Sequence, residues 1–436
     1  MKVIGDSLSA LVFCEQLVAN SIAVDHITLG DRNLGGYFAG VNYRGTLVDL
    51  GMVLLEPRFN GESECILKYS TDFPADINKY NSDVFKWLES HSESLREIEV
   101  RSRFKGNLYN DIVIADDFSF MDGIDSNERL CVIQEIQDSI STHQHHPSEK
   151  TTNRYFAETS IQHAYSNLYG PILANYLSNH IKLLAGEKGL DVVSRMHRSI
   201  WMPLIYPENF LNYLKQQNSN LSRLSFYGLS KGSFAGMIEN ISVGLSGSAN
   251  YRRTGITHSE YQSMIRKGAD SENKDSVVFA SDKELIDVNN EIGTEKIAFV
   301  IGKTSYSKDF VVNNLDLESR WYRFTAMNAD SNICVVEIGL TEDHESDVEL
   351  LFRANRACSE LGLDEMEDPI TLKSRIQILN AKAFKEIEKR RELVNASYVS
   401  KQNYFYMNEL SSSLNHQIAL GLKAFSLLIG DEKNGR

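Results

Sequence analysis

The opening stretch constrains this chain more than any other. In "MKVIGDSLSALVFCEQL" a short apolar strand (Val3, Ile4) breaks at Gly5, after which Ala10, Leu11, Phe13, Cys14, Leu17 and Val18 supply a largely apolar helix. A strand that passes through a glycine turn into such a helix opens a doubly wound α/β domain. Gly5, Ser7 and Ala10 fall where a dinucleotide-binding turn places its three small residues. In that turn the first glycine permits the bend, the second lets backbone approach a pyrophosphate, and the third lets helix meet strand. Gly5 and Ala10 satisfy the first and third demands. Ser7 adds a Cβ and a hydroxyl where phosphate oxygens approach; it can hydrogen-bond phosphate, with a shifted geometry. Asp6 sets a negative charge beside an expected anion. The plain alternative is a strand-to-helix turn with no ligand.

"HITLGD" reads as a second parallel strand ending at Gly30-Asp31, and "NLGGYFAG" then leads to "TLVDLGMVLLEP", a further strand or pair of strands broken at Gly51. Residues 60 to 205 change character. "SDVFKWLESHSESLREIEV" and "NLYGPILANYLSNHIKLLAGEKG" carry helical spacing, with "YNDIVIAD" a short strand between them. "SFYGLSKGSFAGMIENIS" is a glycine-punctuated turn followed by a helix. "DSVVFASD" and "KIAFVIG" read as strands, "RWYRFTAM" and "ICVVEIGL" as antiparallel partners, and "ESDVELLFRANRACSELG" as an amphipathic helix ending at Gly362. "RWYRF" alternates, which places Arg320 and Tyr322 on one strand face and Trp321 and Arg323 on the other. A charged helix, "KAFKEIEKRREL", precedes the last segment.

With 436 residues the chain has room for two or three domains. A net charge of −14 argues against a nucleic-acid or anionic-membrane partner, though an anionic ligand can still be held by backbone N–H groups. The five cysteines are scattered and none forms a CxxC pair, so reduced thiols in a cytoplasmic protein are expected, without zinc or a disulfide framework. His143, His145 and His146 share one polar loop but have no second ligand cluster, so no metal is expected. No signal peptide and no membrane span is expected.

Four segments, taken in chain order, resemble the FAD-dependent amine oxidase, protoporphyrinogen oxidase and UDP-galactopyranose mutase superfamily. They are the N-terminal strand–turn–helix, the Gly35-Gly36 pair after the second strand, "VDLGMVLL", and "SSSLNHQIALGLKAF" near the C-terminus; "FYGLSKGSFAGMIENI" also resembles the family's middle turn and helix. The resemblance implies an α/β fold: a Rossmann-like FAD-binding domain built from discontinuous segments, plus a mixed helix and antiparallel-sheet substrate domain. The implied cofactor-domain segments are 1–58, 206–290 and 396–436, and the substrate domain takes 59–205 and 291–395. The implied cofactor is FAD, held by Gly5, Ser7, Ala10, Asp31, Gly35, Gly36, Gly51, Ser413, Leu414 and Asn415. Asp31 is the only acid able to receive the ribose, yet its loop to Gly35 is short, and Tyr37 replaces the arginine common after the glycine pair.

Trp201, Tyr206, Arg320, Tyr322, Arg323, Tyr404 and Tyr406 are candidates for the substrate pocket, and an aromatic-rich domain interface is their plain alternative. No catalytic residue is assigned. The reading is a flavin-dependent oxidoreductase of amine oxidase or desaturase type, taking a hydride from a C–N or C–C bond of a small metabolite. A redox-neutral nucleotide-sugar mutase and a cofactor-free relative are the alternatives.

Overall fold

The computed structural model describes residues 1–31, 33–51, 53–55, 81–92, 94–115, 117–142, 159–196, 202–205, 207–215, 225–270, 276–281, 294–327, 331–340, 345–377, 379–387, 389, 404–407 and 413–434. The chain opens with β1 (Lys2–Ile4), α1 (Leu8–Ala19) and β2 (Val24–Leu29), then a hairpin of β3 (Val41–Tyr43) and β4 (Thr46–Val48). Next come α2 (Asn81–His91), β5 (Leu95–Phe104), β6 (Asn107–Asn110), α3 (Ser126–Thr142), α4 (Ile161–Ala185) and α5 (Pro207–Leu214). The middle supplies β7 (Phe226–Leu229), α6 (Phe234–Ser246), β8 (Tyr251–Ile256), α7 (His258–Asp270) and β9 (Ser276–Ser281). Then follow β10 (Thr294–Lys303), β11 (Phe310–Asn314), β12 (Arg323–Ala326), β13 (Ile333–Gly339) and α8 (Asp347–Glu360). The chain closes with β14 (Glu367–Gln377), β15 (Tyr404–Met407) and α9 (Leu414–Asn434).

Five strands make a parallel sheet in the order β15-β9-β1-β2-β8, assembled from distant parts of the chain. Apolar side chains of α1, α6 and α9 cover one face, and α7 covers the other through Tyr261 and Ile265. Gly5 is what lets β1 turn tightly into α1. Its φ is +146°, and a Cβ there would stand 2.7 Å from the Phe279 carbonyl oxygen of β9. Gly421 does the same for α1 and α9: a Cβ there would meet the Ser9 carbonyl oxygen at 2.6 Å.

The second sheet runs β14-β10-β13-β12-β11-β5-β6, with β7 paired to β5. β12 and β13 are antiparallel partners as expected, whereas β11 and β5 are parallel. One face packs on α8 through Leu350, Ala354, Ala357 and Cys358 against Val300, Val312, Phe324 and Val336. Each buried valine, leucine or phenylalanine among them contributes about 1.5–3 kcal/mol. The opposite face is shared. The end of α4 lies so close to β13 that a Cβ on Gly339 would sit 2.2 Å from the Leu184 carbonyl oxygen. Farther along, Tyr43 and Val48 of the β3–β4 hairpin pack on Ile301, Ile333 and Val335.

Several local expectations are corrected. The helix of "SDVFKWLESHSESLREIEV" ends at His91, and Leu95–Phe104 is a strand, because cross-strand pairing with β6, β7 and β11 outweighs the helical spacing. "YNDIVIAD" is strand only to Asn110. Beyond it the chain is an irregular buried loop, stapled by Asp111, whose carboxylate accepts N–H bonds from Ile114 (2.6 Å) and Ala115 (3.1 Å). Among the described residues of "TLVDLGMVLLEP" the strand covers Thr46–Val48. In "RWYRF" strand alternation begins only at Arg323, because Arg320 has φ +58° and ends a 3-10 turn. α2, from a segment expected in the substrate domain, buries Val84, Trp87 and Leu88 in the core around α1 and α9. β7, from a segment expected in the cofactor domain, pairs with β5 of the second sheet.

Candidate functional site

The carboxyl edge of the parallel sheet gathers most of the residues singled out as cofactor contacts. Ser7 is the N-cap of α1, its Oγ accepting the Ala10 N–H at 3.3 Å. The loop after β2 folds back onto this turn: Gly35 N–H donates to the Asp6 carbonyl at 2.9 Å, and Gly35 bridges to Ser7. Asp6 turns its carboxylate toward the end of β2, where Oδ1 accepts the Leu29 N–H at 2.9 Å. Gly36 (φ +59°) lies against this turn, a Cβ built on it standing 3.8 Å from Ser7 Cα. Asp31 follows β2, exposed, with its carboxylate over Gly255 of β8.

α9 brings a second helix N-terminus to the same place. Ser413 accepts the His416 N–H at 3.3 Å, Leu414 and Asn415 are buried, and Ser9 Oγ donates to the Gln417 carbonyl at 2.8 Å. Gln417 Oε1 is buried with no hydrogen-bond partner. Two helix N-termini side by side, each with partial positive charge, favour an anionic or electron-rich ligand. Underneath, the turn is held by buried His26, which donates from Nε2 to the Gly5 carbonyl (2.7 Å) and accepts the Tyr251 hydroxyl at Nδ1 (2.7 Å). Burial keeps this imidazole neutral, its pKa lowered to about 4.

From the turn the chain leads to the second sheet. Asp49 reaches back to α6, both carboxylate oxygens accepting first-turn N–H groups, from Phe234 at 3.0 Å and Ala235 at 2.8 Å. Burial pushes its pKa up to about 6, against the pull of those two N–H groups. Two residues later Gly51 (φ +74°) passes Glu337 of β13; a Cβ on Gly51 would lie 3.8 Å from that carboxylate.

Glu337 ends a polar row across four adjacent strands. Register places Ser102 of β5 beside Asn313 of β11, Asn313 beside Arg323 of β12, and Arg323 beside Glu337. Arg323 donates to Asn313 Oδ1 (2.9 Å), to Glu337 Oε1 (3.1 Å) and to the Tyr322 hydroxyl (3.0 Å). Asn313 and Ser102 both donate to Asp111. All of these groups are buried. Although burial opposes its charge, Glu337 holds the Arg323 guanidinium protonated and raises its pKa. His180 of α4 stacks on Tyr322 at 4.3 Å and donates from Nδ1 to the Asn314 carbonyl at 2.9 Å. Its Nε2 is left as a buried acceptor without a donor, and burial together with Arg323 lowers its pKa to about 3. Thr325 Oγ1, on the same sheet face as Arg323, is likewise unpartnered. These orphan atoms flank the row between α4 and the β3–β4 hairpin.

Of the pocket candidates, Tyr322 and Arg323 join this row. Arg320 is exposed on the outer face of the second sheet, where its carbonyl is clamped by Arg353. Trp201 and Tyr206 lie outside the described residues, as does the loop of His143, His145 and His146. Tyr404 and Tyr406 lie on β15, at the edge of the parallel sheet. Asn313, Glu337, Asp111, Ser102 and His180 were not singled out from the sequence. The signal for two of them was there: a lone acid in "CVVEIG" and an amide pair in "FVVNN", each inside an otherwise apolar strand.

No protein-family model matches the chain, and neither does any curated protein sequence. Solved structures do. A reduced UDP-galactopyranose mutase superposes with a TM-score of 0.65 at 11% identity, over 98% of this chain and 93% of that one. A CLA-producing fatty acid isomerase from P. acnes gives 0.50 at 12% identity, over 98% and 97%. A triple mutant of putrescine oxidase gives 0.51 at 9% identity, over 99% and 98%. The chain is an α/β protein with a parallel sheet built from distant segments and a second, mixed sheet packed with helices. Its fold is the one shared by these mutase, isomerase and oxidase structures.

Proposed function

We propose that the chain is an FAD-dependent enzyme whose substrate lies against the polar row of β11, β12 and β13. The observation that carries this reading is a pair of helix N-termini, those of α1 and α9, together with buried polar atoms that have no protein partner: Gln417 Oε1 beside them, and His180 Nε2 and Thr325 Oγ1 beside the row. The residues fit the dinucleotide. The α1 N-terminus and the Gly36 turn would hold its pyrophosphate, Asp31 its ribose, and the α9 N-terminus the pyrimidine edge of its ring. The flavin, when bound, would supply hydride acceptance. The chain's own part is shape and polarity: Ser7 offers a hydroxyl to phosphate, and Glu337 keeps the positive charge of Arg323 fixed in place. His180 Nε2 offers a neutral acceptor to a substrate N–H or O–H.

The reaction we propose is removal of a hydride from a C–N or C–C bond of a small metabolite. Two features favour it over nucleotide-sugar rearrangement. Arg320 is directed away from the row, and three of the five N–H donors of Arg323 are already engaged, so the row offers a diphosphate little free positive charge. The mutase reading keeps one support, the TM-score of 0.65.

A visible absorption spectrum of the purified protein, before and after incubation with FAD, tests the cofactor. A flavin band is expected, and protein that stays colourless overturns the reading. Bleaching by an amine or a saturated ring compound supports hydride removal. A spectral response to a nucleotide sugar only after chemical reduction supports the mutase instead.

A further inference from the structure

The outer face of α8 carries two large apolar side chains in solvent. Val348 is 79% exposed and Phe352, one turn on, 69% exposed, on a helix whose other face is fully buried. Beside Phe352 lies a groove of about 400 Å³ lined by Glu318, Arg320, Glu349 and Arg356. Arg353 also lines it but is paired with Glu345, so two carboxylates and two guanidinium groups are left around one apolar centre, on a chain whose net charge is −14. This locally balanced patch escapes the repulsion that the rest of the surface imposes on a second acidic molecule.

The order of the charges identifies the occupant. Glu349 lies three residues before Phe352 and Arg356 four after it, all on the solvent stripe of α8. An antiparallel crossing of two α8 helices about a two-fold axis at Phe352 sets each Glu349 against the partner's Arg356 and Phe352 against its own copy. Neither Glu349 nor Arg320 has an ion pair within the chain among the described residues, and Arg356 uses only part of its guanidinium on Glu360 (2.9 Å). The turn that presents Arg320 is built to stay in place: its left-handed backbone (φ +58°) is held by two donors of Arg353, itself bound to Glu345 at 2.5 Å.

We propose that this face of α8 is an isologous interface through which two copies of the chain pair. A self-complementary patch is what two-fold symmetry requires, and its modest size makes the dimer concentration-dependent.

Sedimentation equilibrium of the full chain, loaded up to about 100 μM, tests this. A monomer–dimer equilibrium is expected. Phe352→Asp should weaken it at least tenfold, as should Glu349→Arg or Arg356→Glu alone. The combined Glu349→Arg/Arg356→Glu chain should dimerise again, because exchanging the charges preserves their symmetry. Phe352→Cys, in a Cys65→Ser/Cys131→Ser background, should cross-link to itself under mild oxidation by diamide. Circular dichroism confirms that each surface variant keeps its fold. A chain that is monomeric throughout the range overturns the proposal. So does a dimer indifferent to Phe352→Asp and to the charge reversals.

Discussion

Ser7 closes the first turn of α1 with its own hydroxyl, and this separates its structural role from any role toward a ligand. Ser7→Ala should cost about 1 kcal/mol and Ser7→Gly only a few tenths, read as shifts of the urea midpoint. Ser7→Gly also restores bare backbone at the turn, so FAD per chain should hold or rise; a colourless Ser7→Gly protein would count against the cradle. Gly5→Val should weaken flavin retention, but it acts on the fold first, because any side chain there is driven into the Phe279 carbonyl. The thermal midpoint of that variant should therefore fall even in FAD-free protein. On the polar row, Glu337→Ala leaves the buried Arg323 charge without a counter-ion, at a cost of about 3–5 kcal/mol in denaturant unfolding. Glu337→Gln keeps an acceptor and should cost less.

Among the elements, α2 is fastened to α1 by side chains rather than by backbone. Glu15 accepts from Trp87 Nε1 (2.6 Å) and pairs with His91, which also donates to the Trp87 carbonyl. Burial opposes the charged ring, but the Glu15 hydrogen bond, the Trp87 carbonyl and the Glu15 charge together outweigh it and raise its pKa. A raised folded-state pKa means the stabilisation is complete below the unfolded value and is lost as pH rises through the folded one. The stability gap between wild type and His91→Gln should therefore be larger near about pH 5.5 than near about pH 9, measured by urea unfolding at both. α4 shows how tertiary contacts join what sequence divides. It breaks at Gly170 (φ +77°) before Pro171, and Glu135 of α3 caps the second half through the Ile172 N–H at 3.0 Å. Gly170→Ala should cost more than about 1 kcal/mol, since its backbone is strained for alanine and its Cβ would stand 2.4 Å from Glu135 Cβ.

For the whole molecule, legibility divides along the range of the forces involved. The strand–turn–helix at the N-terminus, the end of β2 at Gly30-Asp31 and the stop of α8 near Gly362 were readable, because glycine freedom and apolar spacing act over a few residues. β5 was read as helix because its strand character comes from three partners, β6, β7 and β11, that no local window contains. Arg323 was visible as a residue, but its meaning was not. Only strand register sets it beside Asn313 and Glu337. By itself the sequence determined a doubly wound domain entered through Gly5, completed by segments far apart in the chain. The tertiary structure alone decided which charges are buried together and which, like Arg320, face outward. Burial and pairing are properties of contacts between distant strands, and the penalty for an unpaired buried charge enforces them.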